Sequence, residues 1–310
     1  YSDDNPYVQA FIEWYPQLSQ ELQELRITGG EPSASHNFWK FLDTVLKYPA
    51  PNLRLAVNSN LGVQDKLIDK LIKMSHDLPI KEFDLYTSNE SFGAHAEYIR
   101  DGLIWPTWRN NLVRIIEEGN FRQVICMMTI NSLCLYSITE FMDDMFVLKE
   151  KYGMNNPGID LNILRWPAFM SPLNLPDSEK IKLYDKISKW YNVKKQHPLM
   201  MDHEKAQIER VLDYIKVVDQ GHVATEDDKS KHFHDFKSFY EQYDKRRNKD
   251  FKTTFPELAE WYETIEVDYS IPNVKVNDGR ITNYEGGEYQ PDIDKREKWT
   301  RLNLKTQETK

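Results

Sequence analysis

Along the first half of the chain, short apolar runs alternate with stretches in which apolar residues recur every three or four positions. The runs are Leu25-Arg26-Ile27-Thr28, closed by Gly29-Gly30; Leu53, Leu55 and Val57 alternating with Arg54, Ala56 and Asn58; Phe83-Asp84-Leu85-Tyr86; Val124 to Met128; and Ile159 to Leu164. Short, rich in Val, Ile, Leu or aromatics, and mostly bounded by Gly, Asn or Ser, they read as strands. Between them the spacing predicts helices. One spans Tyr7 to Leu18, and another carries Val63, Leu67, Ile68, Leu71 and Ile72 on one face. A third opens at Pro106 and continues through Trp108, Leu112, Ile115 and Ile116, proline being tolerated in a first helical turn. A fourth runs from Ile138 through Phe141, Met142 and Met145 to Tyr152 and ends at Gly153. Strand, helix, strand, repeated four times, calls for parallel strands joined by right-handed crossovers. The expected class is α/β, as an open sheet or a partial barrel over residues 1–175.

After about residue 175 the pattern turns helical. Leu183, Ile187 and Trp190 mark one helix and Ile208, Val211, Leu212 and Ile215 a second; Phe233, Phe236 and Tyr240 begin a third, and Leu258, Trp261 and Tyr262 indicate a fourth. A helical appendage is therefore expected over 176–265. From 266 to 310 the chain is polar with few large aliphatics, which predicts an extended or poorly ordered tail.

Composition narrows the function classes. With 49 acidic against 40 basic residues, a net charge of −9 argues against general nucleic-acid binding. Two cysteines supply neither a disulfide framework nor a zinc site of three or four thiolates. No apolar stretch approaches the length of a membrane span and no secretory leader opens the chain, so no membrane role and a reducing, cytoplasmic location are expected.

Candidate chemistry gathers at the predicted strand ends, the edge where parallel α/β architectures bind ligands. The five ends run into Gly29-Gly30-Glu31-Pro32, Asn58-Ser59-Asn60, Thr87-Ser88-Asn89-Glu90-Ser91, Thr129-Ile130-Asn131-Ser132 and Arg165-Trp166-Pro167. Together they describe a polar ligand site, although Asn, Ser and Thr at such places also cap helices and build turns. Two adjacent glycines allow peptide groups to approach a ligand closely, with the Glu31 carboxylate beside them.

In its setting Leu-Arg-Ile-Thr-Gly-Gly-Glu-Pro, this segment resembles the glycine-glycine-glutamate-proline motif of the radical S-adenosylmethionine superfamily. Asn58-Ser59-Asn60, then Ser88 to Ser91 with Gly93 and Ala96 to Gly102, then Thr129-Ile130-Asn131 follow that family's order over residues 20 to 170. Asp244 to Arg247 and Phe255-Pro256-Glu257-Leu258 are similar to the C-terminal region of its twitch-domain subgroup. The resemblance implies a partial (β/α)6, TIM-like barrel that holds S-adenosyl-L-methionine against a [4Fe–4S] cluster. An external electron donor would reduce the cluster, and the 5′-deoxyadenosyl radical formed would take hydrogen from an unknown substrate. It also implies that the backbone at Gly29, Gly30 and Glu31, leading into Pro32, receives the methionine ammonium. Asn58 would lie at a polar strand end facing the cofactor. Ser88 and Arg100 would hold the ribose or the methionine carboxylate, and Asn60 and Asn131 the ribose or adenine.

The family's Cys-x3-Cys-x2-Cys loop does not occur here, although thiolates are what iron–sulfur clusters require. Its family position, one helix before the Gly-Gly strand, places it just upstream of Tyr1, so the expectation is an amino-terminally truncated chain with the cluster ligands preceding it. Cys126 and Cys134 read as small core residues, and with no later cysteine an auxiliary cluster is not expected. Two other readings stay open. The chain is a non-catalytic barrel that binds a nucleotide-like ligand or a protein, or Gly29-Gly30 is a phosphate nest with Glu31 and Glu90 as an acid–base pair. His232 and His234 alternate as metal ligands would on a strand, but a helix start there turns them apart.

Overall fold

The computed structural model describes residues 5–216, 226–267, 275–277 and 280–282. Five strands, β1 (Glu24–Ile27), β2 (Ala50–Ser59), β3 (Ile80–Ser88), β4 (Gln123–Ile130) and β5 (Gly158–Ile163), form one all-parallel sheet in sequence order. Helices α1 (Pro6–Leu18), α2 (His36–Lys47), α3 (Asp65–Asp77), α4 (Gly93–Ile99), α5 (Trp105–Glu118) and α6 (Ile138–Tyr152) precede or connect them. This is the order of a partial α/β barrel, with the five strands that the apolar runs predict. The helical part follows as α7 (Asp177–Lys194), α8 (Asp202–Ile215), α9 (Glu226–Arg247), α10 (Phe251–Thr254) and α11 (Ala259–Thr264).

Alternation along the strands separates two faces. Leu53, Leu55 and Val57 of β2, Phe83 and Leu85 of β3, Val124, Cys126 and Met128 of β4, and Ile159 and Leu161 of β5 are buried beneath the crossover helices. There Trp108 of α5 donates its indole N–H to Thr87 Oγ1 at 3.1 Å. The opposite face carries Arg54, Asn58, Tyr86, Ser88, Gln123, Met127 and Asp160, all half-buried, and the exposed Thr129 and Asn162. A parallel sheet usually reads apolar on both faces. A polar second face is the surface from which a site can be built.

α8 covers the outer edge of β5. Glu204 Oε1 accepts the Ile159 N–H at 3.0 Å, Gln207 Oε1 accepts the Leu161 N–H at 2.8 Å, and Arg210 donates to the Leu161 carbonyl at 2.6 Å. Three side chains one helical turn apart thus satisfy backbone groups that an open edge would offer to another chain.

The helical residues join the sheet in one compact unit ending at Ile265, and a second unit begins at Glu266. In that second unit β6 (Lys275–Asn277) pairs antiparallel with β7 (Arg280–Thr282). The remainder of the polar tail expected over 266–310 lies, beyond residue 267, outside the described residues. Among the described residues no helix is long and apolar enough to cross a membrane.

Candidate functional site

β1 ends in a turn whose shape depends on glycine. Gly29 has φ +102°, a backbone region L side chains rarely adopt, and neither Gly29 nor Gly30 has any atom within 4 Å of where a Cβ would stand. Both are exposed, so their peptide groups face open space beside the sheet's carboxyl edge.

Glu31 next to them is a brace. Its Oε1 accepts the Ser33 N–H at 3.1 Å, the Ser33 hydroxyl at 2.6 Å and the Ser59 hydroxyl at 3.0 Å; its Oε2 accepts the Asn60 N–H at 2.6 Å. The carboxylate thereby locks the β1 turn to the end of β2, and Pro32, next in the chain, is buried. Among the described residues the partners of Glu31 are these neutral N–H and O–H donors, and no cation pairs with it.

The other residues expected at the site divide into two groups. Asn58 and Ser88 share the polar face, Asn58 Nδ2 lying 3.6 Å from Met127 Sδ and Ser88 standing in register with Met127. Asn60 is exposed and turns its own loop, its Oδ1 accepting the Gly62 N–H at 2.8 Å. Asn131 and Arg100 are already engaged. Asn131 Oδ1 accepts the N–H groups of Leu133 and Cys134, both at 3.0 Å, and its Nδ2 donates to the Thr129 carbonyl. The Asn131 side chain closes its own turn, which is the capping role open to any Asn at a strand end.

Arg100 donates from Nε at 3.1 Å and Nη2 at 2.5 Å to Oε2 of Glu90. Glu90 is only 3% exposed at its side chain and also accepts the Thr129 N–H at 3.4 Å. Burial pushes its carboxyl above the usual range, and the Arg100 guanidinium draws it part of the way back. Acid and base ten residues apart carry no sequence signal of pairing; the tight turn after β3 brings them together.

A second charged cluster escaped the sequence reading. Midway along β3 on the polar face, the fully buried carboxylate of Asp84 accepts Arg54 Nε at 2.7 Å, Arg122 Nε at 2.8 Å and Nη2 at 2.6 Å, and Gln123 Nε2 at 3.2 Å. Asp84 interrupting an apolar strand, with Arg54 and Arg122 beside neighbouring runs, was the available signal. With both oxygens satisfied by the fold and neither at the carboxyl edge, this cluster ties β2, β3 and the start of β4 together.

The fit to the implied groups differs between them. An ammonium or sulfonium suits the Glu31 carboxylate, whose partners among the described residues are all neutral, beside an open glycine turn. A [4Fe–4S] cluster does not fit the described residues. Cys126 and Cys134 are both buried, and burial raises both thiols well above their ordinary range. Cys126 meets Met145 Sδ and Cys134 meets the Asn131 backbone. Among the described residues no three His, Cys, Asp or Glu side chains converge as a metal site. His232 and His234 lie within α9, as the helix-start reading expects. No protein-family model, curated protein or solved structure matches the chain.

Proposed function

We propose that this chain binds S-adenosylmethionine at the carboxyl edge of its parallel sheet, as the cofactor-holding barrel of a radical S-adenosylmethionine enzyme. The observation that carries the reading is the open Gly29-Gly30 turn, held against β2 by a Glu31 carboxylate that pairs with no cation among the described residues. In this reading the peptide groups of Gly29 and Gly30 and the Glu31 charge receive the positively charged methionine end. The carboxamides of Asn58 and Asn60 and the Ser88 hydroxyl face the nucleoside. Arg100 offers the N–H groups that Glu90 does not occupy to the carboxylate. Asn131 shapes the loop without touching the ligand.

Bound S-adenosylmethionine would supply an electrophilic sulfonium whose bond to the adenosyl carbon is the one to be broken. Reductive cleavage of that bond needs a cluster and an external electron donor, and the described residues hold no ligand set for the cluster. The contribution assigned to these residues is therefore binding and orientation. A cytoplasmic setting suits two buried thiols that remain unpaired.

The absence of accessible thiolates among the described residues favours, as a second reading, a barrel that binds a nucleotide-like ligand without chemistry. Calorimetric titration of the chain with S-adenosylmethionine, S-adenosylhomocysteine and ATP separates the two. Preference for the sulfonium over the neutral thioether, lost in Glu31→Gln, supports the first reading; ATP binding alone supports the second. Anaerobic cluster reconstitution of the complete gene product, with assay for 5′-deoxyadenosine, tests the radical chemistry. No cluster absorbance and no cleavage would end the enzyme reading.

A further inference from the structure

We infer that Glu90 is a positioning residue, fixing the Arg100 guanidinium so that its unoccupied edge meets a ligand carboxylate at the sheet's carboxyl edge. The inference rests on the reading of that edge as an S-adenosylmethionine site.

The Arg100 backbone is held on both sides by the C-terminal helices. The Tyr98 carbonyl accepts the Tyr243 hydroxyl at 2.7 Å and Lys249 Nζ at 3.4 Å, and Lys249 also donates to the Glu97 carbonyl at 2.5 Å. Asp101, on the other side, pairs with Arg247 at 2.9 Å and Lys249 at 3.4 Å. Tyr98 closes the clamp by donating its hydroxyl to Asp244 at 2.6 Å.

With the backbone fixed, the side chain has one further anchor. Both of its side-chain hydrogen bonds go to a single oxygen, Oε2 of Glu90, which also takes the Thr129 N–H from the end of β4. Glu90 therefore ties the guanidinium to two strand ends at once. Arg100 Nη1 makes no hydrogen bond among the described residues, and the side chain is 27% exposed while Glu90 is 3% exposed. A guanidinium is planar, so fixing Nε and Nη2 also fixes the direction in which Nη1 points. The buried carboxylate cannot reach a ligand; its effect is exerted through Arg100.

The test uses two probes, S-adenosylmethionine and its decarboxylated form, which keeps the sulfonium and amine and lacks only the carboxylate. Dissociation constants are measured for both with the wild-type chain, Glu90→Asp and Glu90→Gln, with thermal melting to follow the fold. Glu90→Asp keeps the charge but retracts the carboxylate by one methylene. It is expected to weaken S-adenosylmethionine about tenfold, the scale of one charge-assisted hydrogen bond, and its decarboxylated form less than about twofold. Glu90→Gln retains the reach of the acceptor and restores most of the affinity. Equal losses for both probes in Glu90→Asp indicate a structural role and overturn the inference, as does unchanged discrimination. If the wild-type chain binds neither probe, the S-adenosylmethionine reading fails and the inference falls with it. Wild-type binding with unaltered discrimination in Glu90→Asp removes the inference alone.

Discussion

Lys149 Nζ lies 2.5 and 2.7 Å from the two carboxylate oxygens of Glu204, and neither side chain is exposed at all. The pair joins α6, which packs on the sheet, to α8, which covers its edge. Glu204 also accepts the Met201 N–H at 3.0 Å and the Ile159 N–H, so one carboxylate closes a helix start, a strand edge and an ion pair. Lys149→Met strands a buried carboxylate and Glu204→Met a buried ammonium, and each is expected to cost about 3–5 kcal/mol. Urea denaturation of the two single variants and the double variant checks this. The double variant should lose clearly less than the sum of the singles, because neither charge is then left unpaired.

The two glycines of the β1 turn should respond differently to substitution. Gly29→Ala forces a side chain into a left-handed backbone region and is expected to destabilise the fold by about 1 kcal/mol. Gly30→Leu meets only open space, so its melting temperature should stay near wild type while S-adenosylmethionine binding is lost. Retained binding in a folded Gly30→Leu chain would remove this turn from the site.

Asp84 neutralises two arginines on the polar face, so Asp84→Asn leaves Arg54 without its carboxylate and Arg122 with Glu82 alone, at 3.2 Å. The expected loss is about 3 kcal/mol, read from the denaturation midpoint. Ligand affinity of the folded variant should not change, because both Asp84 oxygens are taken up within the sheet, below its carboxyl edge.

His95 gives the unit a pH dependence of definite sign. Its Nε2 lies 2.9 Å from the Thr254 carbonyl, which can only accept, so Nε2 carries the proton, and the buried Nδ1 has no partner among the described residues. The ring stacks on Phe255 at 4.5 Å. Burial lowers its pKa below the usual 6.5, the Thr254 carbonyl and the carboxylates of Glu257 and Glu140 opposing that shift and Lys186 adding to it. A depressed native pKa means that the unfolded chain binds the proton more readily. The His95 contribution is therefore fully present above the usual value and is lost as pH falls through the native one. Melting temperature should drop between about pH 7.5 and about pH 5.5, and by a smaller margin in His95→Gln.

Both thiols should resist alkylation in the native chain and react once it is unfolded, because burial raises their pKa and blocks access. Mass spectrometry after brief iodoacetamide treatment reads this directly. Rapid native labelling of either cysteine would contradict the packing around Met145 or Asn131.

Local pattern determined the five strands of the sheet and most helices, though not α2 or α4. Alternation of Leu53, Leu55 and Val57 and the stripe from Ile138 to Tyr152 each state which face is apolar, and burial of that face follows from the hydrophobic effect alone. The glycine turn was equally legible, since only glycine relieves a left-handed backbone there. Tertiary structure decided the partners of polar side chains. Nothing in the order of residues says that Arg100 turns back to Glu90, that Asn131 closes its own loop, or that Glu204 of a distant helix reaches Lys149 and the edge of β5. Hydrogen bonds and ion pairs are directional and short in range, so their partners are selected only when packing of the apolar faces has set the distances.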